Sequence, residues 1–454
     1  MRDVTATHGR STPAGPNATP AGSTPAGSTP AGSTPAGSTP GRPTPAGPTA
    51  AAGVLSPSAN VVVIDPHGEY REALDGVAEV RSVLGEGQAL LRVPFWALPA
   101  ADLLTALAGP VESATTKASW LEFVTAARRE FAAGATWVGL NAEAIGGDTP
   151  IPFDLYQVWH ELDYENNATY SGLGGQGSPE VATPGNPALL QRTVVKPYGA
   201  GSTPPHKGLR FFHHLAVPDR IRQRIADPRF RFLLEPGPGD SIGSDPLVGV
   251  LTDWLGGSRP VSVLDFSGVP AEVTDLAIGL VIQLLFEVAI RGDGDGVGRH
   301  RPILIVLEEA HRYLGDSATA KTSRVAVDRV AREGRKYGVG IVLVTQRPGE
   351  LPPTSLAQVG TIIALRLTNA SDQSTIKAAL PDGVAGLADA LASLRTGEAI
   401  VSGEAVALPS RVVIDPPNPW PSAGDPTLES WRMPTKRNDL VGPIARWRGK
   451  EADA

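Results

Sequence analysis

Two adjacent acids, Glu308 and Glu309, follow directly on a run of large apolar residues, Ile303 to Leu307. Three residues of that run are β-branched. Such a run reads as a strand buried on both faces, as in the middle of a parallel sheet. In an open α/β sheet, ligands bind beyond the carboxyl ends of the strands. A carboxylate pair placed there can hold a magnesium-bound water and polarise an attacking water, which is the chemistry of nucleotide hydrolysis. A plainer reading fits the same pair. Acids often follow a buried strand because the next helix favours negative charge in its first turn.

Other segments bear on the choice. Val61 to Ile64 is a second buried-strand run, ended by Asp65-Pro-His-Gly-Glu-Tyr70. Gly340 to Val344 is a third, with the polar exit Thr345-Gln346-Arg347-Pro348. Between the last two strands lies a helical stretch, Ser323 to Tyr337, carrying Arg324, Arg329, Arg332, Arg335 and Lys336. A solvated face accounts for most charge runs of this kind. Asp65 reads equally as a phosphate-side acid or as the cap of its own turn, which Pro66 and Gly68 form. His67 and His311 read as structural hydrogen-bonders, since neither has a second metal ligand at a useful spacing.

In their order and spacing, Val61-Val-Val-Ile-Asp-Pro-His-Gly-Glu-Tyr70, Ile305-Val-Leu-Glu-Glu-Ala-His-Arg312, Arg332-Glu-Gly-Arg-Lys-Tyr-Gly338 and Val344-Thr-Gln-Arg-Pro348 resemble the HerA-type ATPases of the HerA–FtsK group. The resemblance covers about residues 60 to 415. It implies a RecA-like core of the P-loop NTPase (ASCE) class, ATP and Mg²⁺ as cofactors, a homo-oligomeric hexameric ring and translocation along double-stranded DNA, often beside a partner nuclease. By resemblance, Glu308 holds Mg²⁺ through water and Glu309 polarises the attacking water. Gln346 is then the γ-phosphate sensor, and Arg332 or Arg335 an arginine finger acting on the next subunit. Asp65, His67 and Gly68 are the matching candidates on the cofactor-binding side.

The composition is compatible. The chain has 454 residues, 41% of them hydrophobic, and a net charge of -7, so any nucleic-acid contact must come from a local patch. There are no cysteines, which excludes disulfides, zinc ribbons and thiol catalysis. No stretch approaches eighteen uninterrupted apolar residues and the first residues lack a signal-peptide core, so no membrane partner and a cytoplasmic location are expected.

Along the chain, residues 1–52 are read as a disordered tail, because Thr19 to Ser38 repeats Thr-Pro-Ala-Gly-Ser and offers too few apolar residues for a core. Residues 53–99 open an α/β core with a mostly parallel sheet. Residues 100–245 read as a largely helical insertion, with helices over Ser113 to Ala133 and Phe153 to Leu162, a long loop over Gly172 to Lys207, and arginines at 220, 222, 224, 229 and 231 that fit either a surface helix or DNA phosphate. Residues 246–415 resume the core, with a strand at Thr361 to Leu367, helices at Asp372 to Leu380 and Val384 to Leu394, and a closing hairpin over Glu398 to Ile414. Residues 416–454 read as a tail.

One part of the family pattern has no counterpart. A P-loop, Gly-x-x-x-x-Gly-Lys-[Ser/Thr], holds the β- and γ-phosphates, and its expected place falls within residues 20 to 50, where the repeat stands. No Lys precedes Lys117. Gly315-Asp-Ser-Ala-Thr-Ala-Lys-Thr322 misses the pattern by Ala320 and follows no strand. Three readings stand: a start or frame that omits the loop, an ATPase reduced to a non-catalytic scaffold or interaction protein, or a loop supplied by a separate chain. The main expectation is an ATP-dependent DNA translocase or helicase subunit, N-terminally truncated as given.

Overall fold

The computed structural model describes residues 60–416 apart from 85–88, 202, 235–242, 258, 293–295, 316–321 and 382–384, together with 440–442 and 444. The repeat, most of the second tail and nearly all of the Gly315 to Thr322 segment lie outside the described residues.

The apolar runs form the sheet expected of them. Its strands are β1 (Asn60–Asp65), β2 (Ala78–Ser82), β3 (Val261–Asp265), β4 (Ile303–Leu307) and β5 (Val339–Leu343). They lie in the order β2-β3-β1-β4-β5, all parallel. The register pairs Asp65 with Asp265, Ile64 with Leu307, and Leu307 with Leu343. The carboxyl ends of β3, β1, β4 and β5 therefore align, and the residues that leave them meet along one edge.

Helices are α1 (Tyr70–Ala73), α2 (Ala100–Ala108), α3 (Ala114–Gly134), α4 (Leu155–Asn167), α5 (Val217–Ile225), α6 (Ala271–Arg291), α7 (Thr322–Glu333) and α8 (Ala370–Ala379), besides a nine-residue helix over Pro246–Trp254 and several helical turns. On one face of the sheet, Val62, Ile64, Leu264, Ile303, Ile305 and Leu307 join α6 and α7 in the main core. The window Val273–Arg291 of α6 is long and apolar enough to cross a membrane, yet 78% of it is buried in the protein, as befits a core helix. α6 and α7 meet at Gly279, where a Cβ would stand 2.8 Å from the Ser323 nitrogen. Asp275 of α6 accepts from the Thr322 nitrogen (3.4 Å), the Ser323 nitrogen (3.3 Å) and the Ser323 hydroxyl, and so caps α7 from the neighbouring helix.

The insertion is helical, but it is not a separate body. Trp120, Val124, Phe153 and Trp159 are buried in the same core as the sheet. Ser113 caps α3 by accepting from the Thr116 nitrogen, and Asp154 caps α4 by accepting from Tyr156 and Gln157. The expected long loop contains two short antiparallel ribbons, Thr169–Tyr170 with His206–Lys207 and Val181–Thr183 with Val194–Val195. The expected helix over Ser323 to Tyr337 breaks at Glu333 into a 3₁₀ turn, Gly334–Tyr337. A Cβ on Gly334 would lie 2.4 Å from the Val339 carbonyl, so the chain can turn into β5 only there.

After β5 the chain leaves the parallel sheet. Strands β6 (Thr361–Ala364), β7 (Glu398–Gly403) and β8 (Ser410–Val413) form their own antiparallel sheet, with β7 and β8 as the expected hairpin. Ile376, Leu391, Leu394 and Ile400 give this part a small core of its own.

Candidate active site at the strand ends

Asp65 is fully buried, and both its oxygens serve the turn that follows β1. Oδ1 accepts from the nitrogens of His67 (3.0 Å) and Gly68 (2.8 Å), and Oδ2 from that of Tyr70 (3.0 Å). This is the cap role. Gly68 has φ +77°, and a Cβ there would press on the Ser267 hydroxyl at 3.3 Å. The turn aims Tyr70 across the sheet, where its hydroxyl donates to Glu308 Oε2 at 2.8 Å. Tyr70 was not singled out in the sequence. Its signal was its place closing the Asp65 to Tyr70 motif.

Glu308 is half-buried, and burial raises its carboxyl above the usual range, helped by Glu309, Glu69 and Asp65 and opposed by the Tyr70 hydrogen bond. Burial, then the bond to Glu308, holds the Tyr70 phenol above its own range. Glu309 has φ +51°, a left-handed conformation that costs a non-glycine residue about 1–2 kcal/mol. Its Oε1 accepts from Gln346 Nε2 at 2.7 Å. Its Oε2 lies 3.2 Å from His311 Nδ1, but the alignment is not that of a hydrogen bond, and this buried oxygen has no hydrogen-bond partner among the described residues.

The motif histidines tie the strand exits together. Arg312 Nη1 donates to His67 Nε2 at 2.8 Å, linking the exits of β4 and β1. His311 Nδ1 and Thr345 Oγ1, 3.1 Å apart, link β4 to β5. Glu309, His311, Arg312 and Arg347, with Leu351 and Thr375, line an open cleft of about 1170 Å³. Glu308, Glu309, Gln346, Asp65, His67 and Gly68 are thus brought together. Arg332 and Arg335 are not. Both are exposed near the amino end of β5, at the other end of the sheet.

Among the described residues, no group of three or more His, Asp or Glu is arranged to hold a metal ion unaided. Mg²⁺ ordinarily takes one or two carboxylates plus substrate phosphates. Glu308, with one oxygen held by Tyr70, fits that mode. The other described histidines stand apart from the site. His214 is buried 2.8 Å from Glu165 and 3.1 Å from Thr116, as a structural tie.

Two family models match the chain: "Helicase HerA, central domain" over residues 51–285 and "Helicase HerA-like C-terminal" over 261–418. The chain belongs to the HerA helicase family. Its fold class is accordingly the RecA-like α/β class of P-loop ATPases. The DNA double-strand break repair helicase HerA of Sulfolobus acidocaldarius is 33% identical over 192 residues, which are 41% of this chain and 38% of that protein. The probable DNA double-strand break repair helicase HerA of Methanocaldococcus jannaschii is 42% identical over 115 residues, 25% of this chain and 23% of that protein. The matched stretches thus span well under half of these HerA relatives. Among solved structures, VirB4 of Thermoanaerobacter pseudethanolicus is similar over 79% of this chain and 82% of its own, with a TM-score of 0.46 and 14% identity.

Proposed function

We propose that this chain is the motor part of an ATP-dependent DNA translocase or helicase that acts in the cytoplasm on double-stranded DNA, as a ring of identical subunits. The observation that carries the reading is the hydrogen bond between Gln346 and Glu309, at the exits of adjacent parallel strands and next to Glu308. That arrangement supports Glu309 as the base, Gln346 as its polar neighbour and Glu308 as the metal-side carboxylate for attack on a γ-phosphate.

In this mechanism Glu309 orients a water for in-line attack on the γ-phosphorus and takes up its proton. The new P–O bond forms as the bond to the β-phosphate oxygen breaks, and ADP leaves. Glu308 would hold Mg²⁺, and the ion would supply positive charge to the phosphate oxygens. Asp65 and Gly68 shape the phosphate side by holding the turn, with His67 tied to Arg312. Gln346 reports the γ-phosphate to Glu309. Arg332 or Arg335 comes from the neighbouring subunit and stabilises transition-state charge.

The test is ATP hydrolysis by the 454-residue chain and by a form carrying a strand, phosphate loop and helix ahead of Asn60, each with and without duplex DNA. DNA-stimulated turnover is expected in the second form, with weak or no ATP binding by the first. Turnover that survives Glu309→Gln in the loop-bearing form would sink the catalytic assignment. A second reading, a scaffold on the same fold that does not use ATP, is favoured by the missing Gly-Lys phosphate loop pattern. Its signature is absence of turnover even with the loop in place.

A further inference from the structure

The fold joins two basic segments that no motif connects. Arg299 and Arg301 precede β4, while Arg335 and Lys336 precede β5. Arg299 Nε donates to the Lys336 carbonyl at 2.9 Å. The Ile303 nitrogen donates to the Gly338 carbonyl at 2.9 Å, and a Cβ on Gly338 would stand 2.3 Å from the Gly298 carbonyl. The segments therefore pack against each other at the amino ends of neighbouring strands, and Arg332 closes the group from the last turn of α7.

All of these cationic side chains are exposed. Among the described residues none has a carboxylate partner. Arg299 and Arg332 spend their Nε on backbone carbonyls, whereas the nearby Arg291 and Arg329 share Glu287. The chain as a whole carries a net charge of -7, so this concentration of unpaired positive charge is local. Such a patch repels itself, and it gains when opposite charge arrives from outside.

The opposite charge stands at the other end of the sheet. Glu69 and Glu72, at the start of α1, are exposed and form no ion pair among the described residues, while Arg71 between them is taken by Asp265. Because Tyr70 touches Glu308, these acids flank the candidate site. The path along β4 from Arg301 to Glu308 spans roughly 20 Å. An arginine side chain cannot cross it, so the patches do not meet within one chain. Two copies stacked head to tail bring them together, in the heterologous contact that closes into a ring.

We propose that Arg299, Arg301 and Lys336 dock on Glu69 and Glu72 of a second copy, and that this pairing sets the head-to-tail order of the assembly. The consequence for catalysis, delivery of Arg332 or Arg335 to the neighbour's Glu309, rests on the function proposed above. The docking itself needs no nucleotide.

The test is sedimentation velocity on the full chain without nucleotide, at low and high salt. Self-association that weakens with salt is expected. Arg299→Glu/Lys336→Glu leaves both ends acidic, and Glu69→Lys/Glu72→Lys leaves both ends basic. Each variant alone should associate about tenfold or more weakly than the parent. An equimolar mixture of the two should recover association, since each then offers the other the opposite charge. The proposal is overturned if the parent stays monomeric at low salt, if either folded variant associates like the parent, or if the mixture does not recover. It is also overturned if Arg299→Glu/Lys336→Glu associates normally but loses binding to a short DNA duplex, which would assign the patch to nucleic acid. Salt dependence of the parent gives the same readout with no substitution. A failed Glu309→Gln experiment would remove the ATPase reading and leave the docking result standing.

Discussion

Glu309 is held in a left-handed backbone conformation and by Gln346. Strain at a single polar residue persists where the surroundings over-determine it, and such residues cluster at active sites. In a loop-bearing form, Glu309→Gln should lower turnover by about 10²–10⁴-fold, the range for loss of a general base, with ATP affinity largely kept. Steady-state kinetics and a binding titration check this together. Glu308 carries a prediction of the opposite kind. Its carboxyl is raised in the fold by burial and by neighbouring acids, so folding disfavours its charged form relative to the unfolded chain. The stability this contributes is present below the unfolded carboxylate pKa and is lost as pH rises through the folded value. Glu308→Gln, a neutral isostere, should therefore be more stable than the parent at pH 7, with the gap closing in acid. Urea denaturation at a series of pH values reads it directly. Arg128 is a third buried charge, fully enclosed in α3, donating to the carbonyls of Trp96 (2.8 Å) and Leu98 (2.9 Å), with its guanidinium over the Phe153 ring. Burial lowers its pKa to about 10. Arg128→Ala should cost about 3–5 kcal/mol in chemical denaturation, by opening a cavity and stranding two carbonyls.

Among the elements, the contact between α6 and α7 sets where the arginine helix lies. A helix glycine usually gains stability on change to alanine. Gly279 should do the reverse, because a Cβ there meets the backbone of Thr322 and Ser323 at 2.8 Å. We expect Gly279→Ala to destabilise by about 1–3 kcal/mol, the usual penalty of overpacking, and a urea midpoint no lower than the parent's would show that the helices can part without loss. The same contact explains Asp275, which supplies from α6 the cap that α7 needs. On the sheet, the strand exits are coupled by side chains as well as by backbone hydrogen bonds such as Ala310 N to the Val344 carbonyl at 2.9 Å. Tyr70 to Glu308, His67 to Arg312, His311 to Thr345 and Gln346 to Glu309 cross from one strand to the next. A change in one exit is felt in its neighbours for that reason.

At the scale of the whole molecule, the acids and the finger candidates lie at opposite ends of the same strands. A finger that acts across a subunit boundary makes a specific prediction. In the loop-bearing form, Glu309→Gln and Arg332→Ala/Arg335→Ala subunits, each inactive alone, should regain hydrolysis when mixed, because some boundaries then pair an intact Glu309 with intact arginines. Turnover of the mixture no higher than that of its parts would place the arginines elsewhere in the mechanism. The insertion belongs to the same account. Trp120 and Trp159 are buried with the sheet strands in one core, so removing residues 100–245 would open that core rather than trim an appendage.

The amino-acid sequence by itself determined β1, β4 and β5, because apolar runs rich in β-branched residues favour packed strands, and it placed Glu308, Glu309 and Gln346 at their exits; burial on both faces holds for β1, whereas Leu304 of β4 and Val342 of β5 are exposed. It also carried the family through ordered motifs. Other features were decided only in three dimensions. Tyr70 reaches Glu308 because the Asp65 turn folds back across the sheet, a contact between residues far apart in the chain. Asp65 fitted two roles by its position, and its hydrogen bonds show it capping the turn. The basic group around Arg299 and Lys336 exists only because β4 and β5 are neighbours, so that segments preceding each strand come to lie side by side. Local pattern reports which residues are buried and where strands stop. Which side chains then touch depends on strand order and register, and those are set by packing the whole core.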